Sequence, residues 1–381
     1  MLAPLLIDLL PVPQVPAIVV EIAAGIVIGP ELLDLARVDE PVQVLSQIGL
    51  VFLFFLAGME IAFHGEDERD IGLILRAFGV SILLAIAVAH VLEAAGLVES
   101  PLLVGIVLAA TAFGIVVAVL KDAGETRTGF GQLVITGATV ADFATVVLLS
   151  LFFSQNGSGI EATLVLLGLF AAFVGMVGLG LQRARESGRL TRAVDRLRET
   201  TAQLGVRIAM VLMVGLVFLA EEFGLEVVLG AFMAGAMVSL LDRDEAVEHS
   251  GEKEKLDAIG FGVFIPVFFV AAGVQLDLSA LFESTSSVVL VPAVLAALLL
   301  VRAAPALLYR QVLGDQRAIA AGLLQATSLP FIVAAAQIGV ELGKIETATA
   351  AGLVAGGVLS VLLFPAVALA LLRTSPEAER S

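Results

Sequence analysis

The chain has 381 residues, 59% of them hydrophobic and 15% charged, with a formal net charge of −16 and no cysteine. The apolar excess excludes an ordinary water-soluble globule, and the acidic balance argues against nucleic acid as a partner. Disulfides and thiolate metal sites are excluded, and His64, His90 and His249 lie too far apart in sequence to suggest a histidine metal site, so neither a cofactor nor a resident metal is expected.

Met1 to Leu10 is apolar, but about 10 residues cannot cross a hydrocarbon core of roughly 30 Å, and the stretch lacks the basic flank of a signal peptide. It reads as part of one further helix. About twelve stretches are long and apolar enough to span as helices, and they fall at 15–35, 44–63, 71–95, 101–121, 129–153, 161–181, 204–222, 225–241, 258–275, 286–313, 316–340 and 346–372. The first holds Glu21 near its centre and the second ends near Glu60. The longest polar stretches are 182–203, which is basic, and 242–257, which is acidic. The whole of 1–381 therefore reads as one all-α membrane unit of about 12–13 transmembrane helices, with no soluble regulatory domain.

Orientation follows from the basic residues. If the loop after residue 181 is cytoplasmic, strict alternation puts all of the 21 Lys and Arg on that side except Arg37, Lys344 and Arg302. That is the positive-inside bias, and it places the C-terminus in the cytoplasm. Arg302 belongs to neither side.

The fifth stretch contains Asp142 near its middle, with no basic residue within a helical turn. A charged carboxylate at bilayer depth costs roughly 2.5–3.5 kcal/mol or more, so it must meet water, a proton, a mobile cation or a charge on another helix. An offset of 216 residues aligns Ala110-Thr111 with Ala326-Thr327 and Gly114 with Pro330. In each copy a small-polar pair is followed by a helix breaker, and the alternation of spans makes the copies inverted. Paired interrupted helices in inverted halves point to a transporter whose ion site lies at the midplane, where the breaks free backbone groups to face a cavity. The broken segments are expected around Thr111 and Gly114 and around Thr327, Ser328 and Pro330.

Arg302 lies inside the span that precedes the second broken one. A guanidinium cannot discharge by losing a proton, so three roles compete: a charge partner opposite Asp142, a clamp on broken-helix carbonyls, or snorkelling to the headgroups. Glu21 is either a second protonatable site or a hydrogen-bonded structural acid, and Glu60 reads as structural. A dehydrated cation would be held by Asp142 with oxygens from Thr111, Thr139 or freed carbonyls near Thr111 and Thr327. Such ligands suit sodium and potassium alike.

The stretch Val20-Glu21-Ile22-Ala23-Ala24-Gly25-Ile26-Val27-Ile28-Gly29-Pro30, followed by Gly49-Leu50-Val51-Phe52-Leu53-Phe54-Phe55-Leu56-Ala57-Gly58-Met59-Glu60-Ile61, resembles the opening of the cation:proton antiporter-2 family. These are the Kef-like and Nap-like sodium or potassium/proton exchangers, and the likeness extends over nearly the whole chain. The resemblance implies a homodimer in the cell (inner) membrane, with a dimerisation part from about 14–63 and 204–276. It also implies a mobile core from about 71–153 and 286–372, built on two crossed discontinuous helices with Asp142 and Arg302 beside them. Three positions depart from the family pattern. Ala141 stands where members carry Asp, Asn or Gln, Arg302 where many have Lys, and Ser328-Leu329-Pro330-Phe331 where Kef-like members show Gly-Glu-Phe.

The expected activity is exchange of Na+ or K+ for H+ by alternating access, because one carboxylate cannot hold a proton and a cation together. With Ala141 unable to titrate, exchange should be electroneutral. Partners are then H+, Na+ or K+ and the lipid bilayer. A sodium-coupled symporter of an organic anion is the alternative on a related fold, although the core spans offer few of the side chains that two sodium sites need. A membrane enzyme lacks its catalytic constellation.

Overall fold

The computed structural model describes residues 17–30, 32–59, 68–153, 160–186, 203–242, 250–276 and 285–373. The expectations for Met1 to Leu10, for Glu60 and for most of the basic stretch 182–203 fall outside them. Among the described residues every regular element is helical. Of the described helices, ten are long and apolar enough to cross a membrane, and Ala17–Ile28 and Val227–Leu240 are shorter apolar ones.

In chain order the helices are α1 (Ala17–Ile28), α2 (Glu40–Met59), α3 (Glu68–Ala94), α4 (Pro101–Ala109), α5 (Phe113–Asp122), α6 (Gly129–Phe152), α7 (Ile160–Glu186), α8 (Leu204–Glu222) and α9 (Val227–Asp242). Next come α10 (Ser250–Ile259), which continues through a π-helical turn, Gly260–Phe264, into α11 (Ile265–Gln275), and α12 (Thr285–Leu298), followed by a second such turn, Leu299–Ala303. Short helical turns lead from there to Leu313, and α13 (Asp315–Ala326), α14 (Pro330–Glu341) and α15 (Thr347–Arg373) complete the described chain. The acidic stretch 242–257 is thus helical from Ser250, where Glu252-Lys253-Glu254-Lys255 supplies strong helix formers.

Both π-helical turns have one cause. Pro266 and Pro305 stand two residues past the ends of these turns, and a proline brings no N–H to the carbonyl four residues back, which lies inside each turn, so the ladder widens by one residue there. The second turn carries Arg302.

The chain divides into two compact units. One comprises 38–62 and 146–271. In it α2 and α9 approach backbone to backbone: a Cβ at Gly235 would collide with the carbonyl oxygen of Phe55, and one at Gly58 with that of Phe232. Small residues permit this closeness where no hydrophobic force drives helices together. The other unit comprises 2–37, 63–145 and 272–381. Its inner packing joins α5, α6, α13 and α15 through Val116, Phe130, Val134, Leu324 and Leu372. This unit holds both interrupted helices.

Candidate functional site

The second interruption separates α13 from α14 at residues 327–329. Thr327 is extended (φ −70°, ψ 117°), and Pro330 is the first residue of α14. Proline disfavours helical geometry in the residue before it and suits the first helical position, where no N–H is needed. The gap is braced from α15: the Ser328 N–H donates to Ser360 Oγ at 3.1 Å, and that hydroxyl lies 2.7 Å from the Gly357 carbonyl and 3.0 Å from that of Ser328.

The first interruption, residues 110–112, lies between α4 and α5. Ala110 is extended (φ −73°, ψ 159°), and no side chain caps the start of α5. What holds this gap open is the other one. The Ala112 N–H donates to the Thr327 carbonyl at 2.7 Å, and Thr111 Oγ1 donates to the Gln325 carbonyl at 2.9 Å. The two breaks therefore satisfy each other's freed backbone groups.

Arg302 projects into this junction and is only 2% exposed. Its Nη2 and Nε donate to Thr111 Oγ1 at 2.7 and 3.2 Å, Nε lies 3.4 Å from the Gln325 carbonyl, and Nη1 donates to Ser81 Oγ at 3.3 Å. The guanidinium also lies over the Phe78 ring, 5.8 Å from its centroid. A buried charge with this many hydrogen bonds is a clamp on the first break, and its donors are consumed inward.

Asp142 sits half-buried on α6, and its Oδ1 accepts from the Thr111 N–H at 3.4 Å. That separation is long for a charge-assisted bond, so the amide orients the carboxylate more than it neutralises it. Thr111 thus faces both charged groups, with its amide on Asp142 and its hydroxyl on Arg302. The local arrangement pairs a half-buried anion with a fixed buried cation one residue away, which suits reversible capture of a proton or a small cation.

The other expected residues are placed as follows. Thr139 Oγ1 donates to the Ile135 carbonyl of its own helix at 3.0 Å. Thr327 Oγ1 likewise donates to Leu323 at 3.1 Å, while its carbonyl is taken by Ala112. Ser328 is buried and its Oγ has no hydrogen-bond partner among the described residues. Gly114 is exposed in the first turn of α5, after the gap rather than in it, and Pro330 begins α14. Glu21 is buried on α1. Ser81, Gln325 and Ser360 join the site without having been singled out in the sequence. The available signal was their polarity within spans 71–95, 316–340 and 346–372.

The family model described as "Sodium/hydrogen exchanger, transmembrane" matches residues 1–373. A Bacillus subtilis protein, YjbQ, whose name places it among Na(+)/H(+) antiporters, is 30% identical over 92% of this chain and 58% of its own length. The Na(+)/H(+)-K(+) antiporter GerN of Bacillus cereus is 27% identical over 68% of this chain and 65% of its own. The fold is similar to that of the sodium proton antiporter MjNhaP1 from Methanocaldococcus jannaschii, with a TM-score of 0.70 at 20% identity, covering 98% of this chain and 95% of that one. The chain spans little more than half the length of YjbQ.

Proposed function

The chain belongs to the sodium/hydrogen exchanger transmembrane family, a family of transporters rather than enzymes, and from that premise we propose that it exchanges a monovalent cation, Na+ or K+, for H+ across the cell membrane. The carrying observation is the Asp142 carboxylate held against Thr111 at the first break, beside a buried guanidinium. Protonated, Asp142 is neutral in its apolar span; ionised, it needs a cation. The two ligands exclude each other, so alternate exposure of the site to the two sides couples their movements. Ligands for the cation are Asp142 with Thr139, three residues before it on α6, and carbonyl oxygens near the break, whereas the Thr111 hydroxyl is held by Arg302 and the Gln325 carbonyl. Arg302 keeps its charge throughout and holds Thr111 in place.

Several further properties belong to this reading. The ion-carrying core is about 71–153 and 286–372, and a homodimer forms through about 14–63 and 204–276. The C-terminus is cytoplasmic, as the distribution of Lys and Arg supports. Ala141 leaves Asp142 without an adjacent acid, so one proton replaces one cation and turnover is electroneutral. Glu21 stays outside the cycle. The name of GerN, which includes K(+), keeps both cations in view.

The test is cation-dependent dequenching of a pH dye in everted vesicles, run with lithium, sodium, potassium and rubidium. Proton movement with at least one of them is expected, and no movement with any would overturn the reading. On solid-supported membranes, a current that scales with potential would overturn electroneutrality and direct attention to Glu21.

A further inference from the structure

Cation exchange as described uses the backbone of Gln325 but not its side chain. That side chain is 3% exposed and lies beside the hydroxyl of Tyr309, the chain's single tyrosine, itself buried. Its Nε2 has no hydrogen-bond partner among the described residues and rests on Gly137 of α6. A Cβ at Gly137 would overlap Nε2 and would lie 3.4 Å from Gln325 Cδ and 3.5 Å from the Tyr309 hydroxyl.

An unpaired buried amide donor destabilises a fold, and Leu or Met would fill the same space without that penalty. Buried between the Tyr309 hydroxyl and Gly137, the side chain sets how closely α6 can approach. The same residue reaches in two directions. Its backbone carbonyl accepts from Thr111 and Arg302 at the first break, and its side chain abuts α6. Gly137 precedes Asp142 by five residues, about 1.4 helical turns. Gln325 is therefore connected to both sides of the Thr111–Asp142 gap.

We propose that Tyr309, Gln325 and Gly137 form a spacer that fixes the separation of the Asp142 carboxylate from Thr111 and so selects the size of the cation the site accepts. None of the three touches the ion; they are positioning residues. Sodium and potassium take the same oxygen ligands and differ in the room they need, so selection must come from spacing. The proposal rests on the exchange reading above.

Its test is the apparent KM for lithium, sodium, potassium and rubidium in proteoliposomes of the wild type, Gly137→Ala and Tyr309→Phe. Gly137→Ala pushes α6 outward and should move the KM ratio of large to small cations in favour of large ones by roughly fivefold. Tyr309→Phe removes the hydroxyl beside the amide and should flatten the ratio by a similar factor, with little further effect when combined with Gly137→Ala. Tyr309→Phe deletes one hydroxyl and decides the matter alone if Gly137→Ala does not fold. Ratios within about twofold of wild type in every folded variant would overturn the spacer whatever happens to thermal stability, because the spacer is defined by what it does to the KM ratio and not by stability. Wild-type protein that moves no protons with any cation would instead remove the exchange reading, and the spacer with it.

Discussion

The break at residues 110–112 contains no residue that forbids a helix, whereas the break at 327–329 is followed directly by Pro330. The second gap is written locally, in a proline and in a brace from Ser360. The first is held by hydrogen bonds reaching it from elsewhere: Ala112 to Thr327, Thr111 to Gln325 and Arg302 to Thr111. The contrast teaches that an interrupted helix can be specified from outside itself. It also explains why the charged groups gather at the first gap. A segment that depends on tertiary contacts is the one that a buried cation can hold, and there Asp142 meets the Thr111 amide.

If that contrast is right, changes at the first break should weigh more than changes at the second. Arg302→Ala removes the donor shared by Thr111, Ser81 and Gln325 and should destabilise the protein by about 3 kcal/mol, the lower range for disrupting a buried charged network. Arg302→Lys should recover part of that in a detergent melt and keep some transport. Near-wild-type melting of Arg302→Ala would dissolve the contrast.

Thr111→Val keeps the shape but leaves the guanidinium without its shortest acceptor and the Gln325 carbonyl without its shorter donor. A loss of about 2 kcal/mol is expected, in the range for hydrogen bonds to charged groups, together with strongly reduced exchange. Ser360→Ala deprives the Ser328 N–H of its acceptor at the second break and should lose about 1 kcal/mol. Exchange in that variant should survive. The smallest effect is expected for Pro330→Ala: roughly 0.4–1 kcal/mol, mainly from greater freedom of the unfolded chain, because the Ser360 brace and the Thr327–Ala112 bond remain. A larger loss in Pro330→Ala than in Thr111→Val would reverse the ranking and show that the second break is the one on which the fold depends.

The same contrast marks how much was legible in the sequence. Long apolar runs and the distribution of Lys and Arg revealed the helical spans, because a bilayer tolerates little else. Pro330 revealed the second interruption. The first is legible only through its likeness to the second, and Gly114, its expected breaker, is the second residue of α5 rather than part of the gap. Asp142 and Arg302 stood out as charges in apolar runs, and the structure brings both onto Thr111. Gln325, Ser81 and Ser360 were not legible, since a neutral polar side chain in a span is common and its partners lie far away in sequence. The helical run from Ser250 was hidden by its charge, which reads equally as a loop. The π-helical turn at Arg302 needed Pro305 to be read as a change of register rather than a kink.

The most direct measurement is proton flux in liposomes of purified Asp142→Asn, driven in turn by gradients of lithium, sodium, potassium and rubidium, alongside the thermal melt of the same preparation. Asparagine keeps the shape and an oxygen for the Thr111 amide but can neither ionise nor release a proton. The account predicts a melt close to that of the wild type and no cation-driven proton movement with any of the four. Proton movement at a rate near that of the wild type would contradict it, because the competing ligands would then have to meet on some other group.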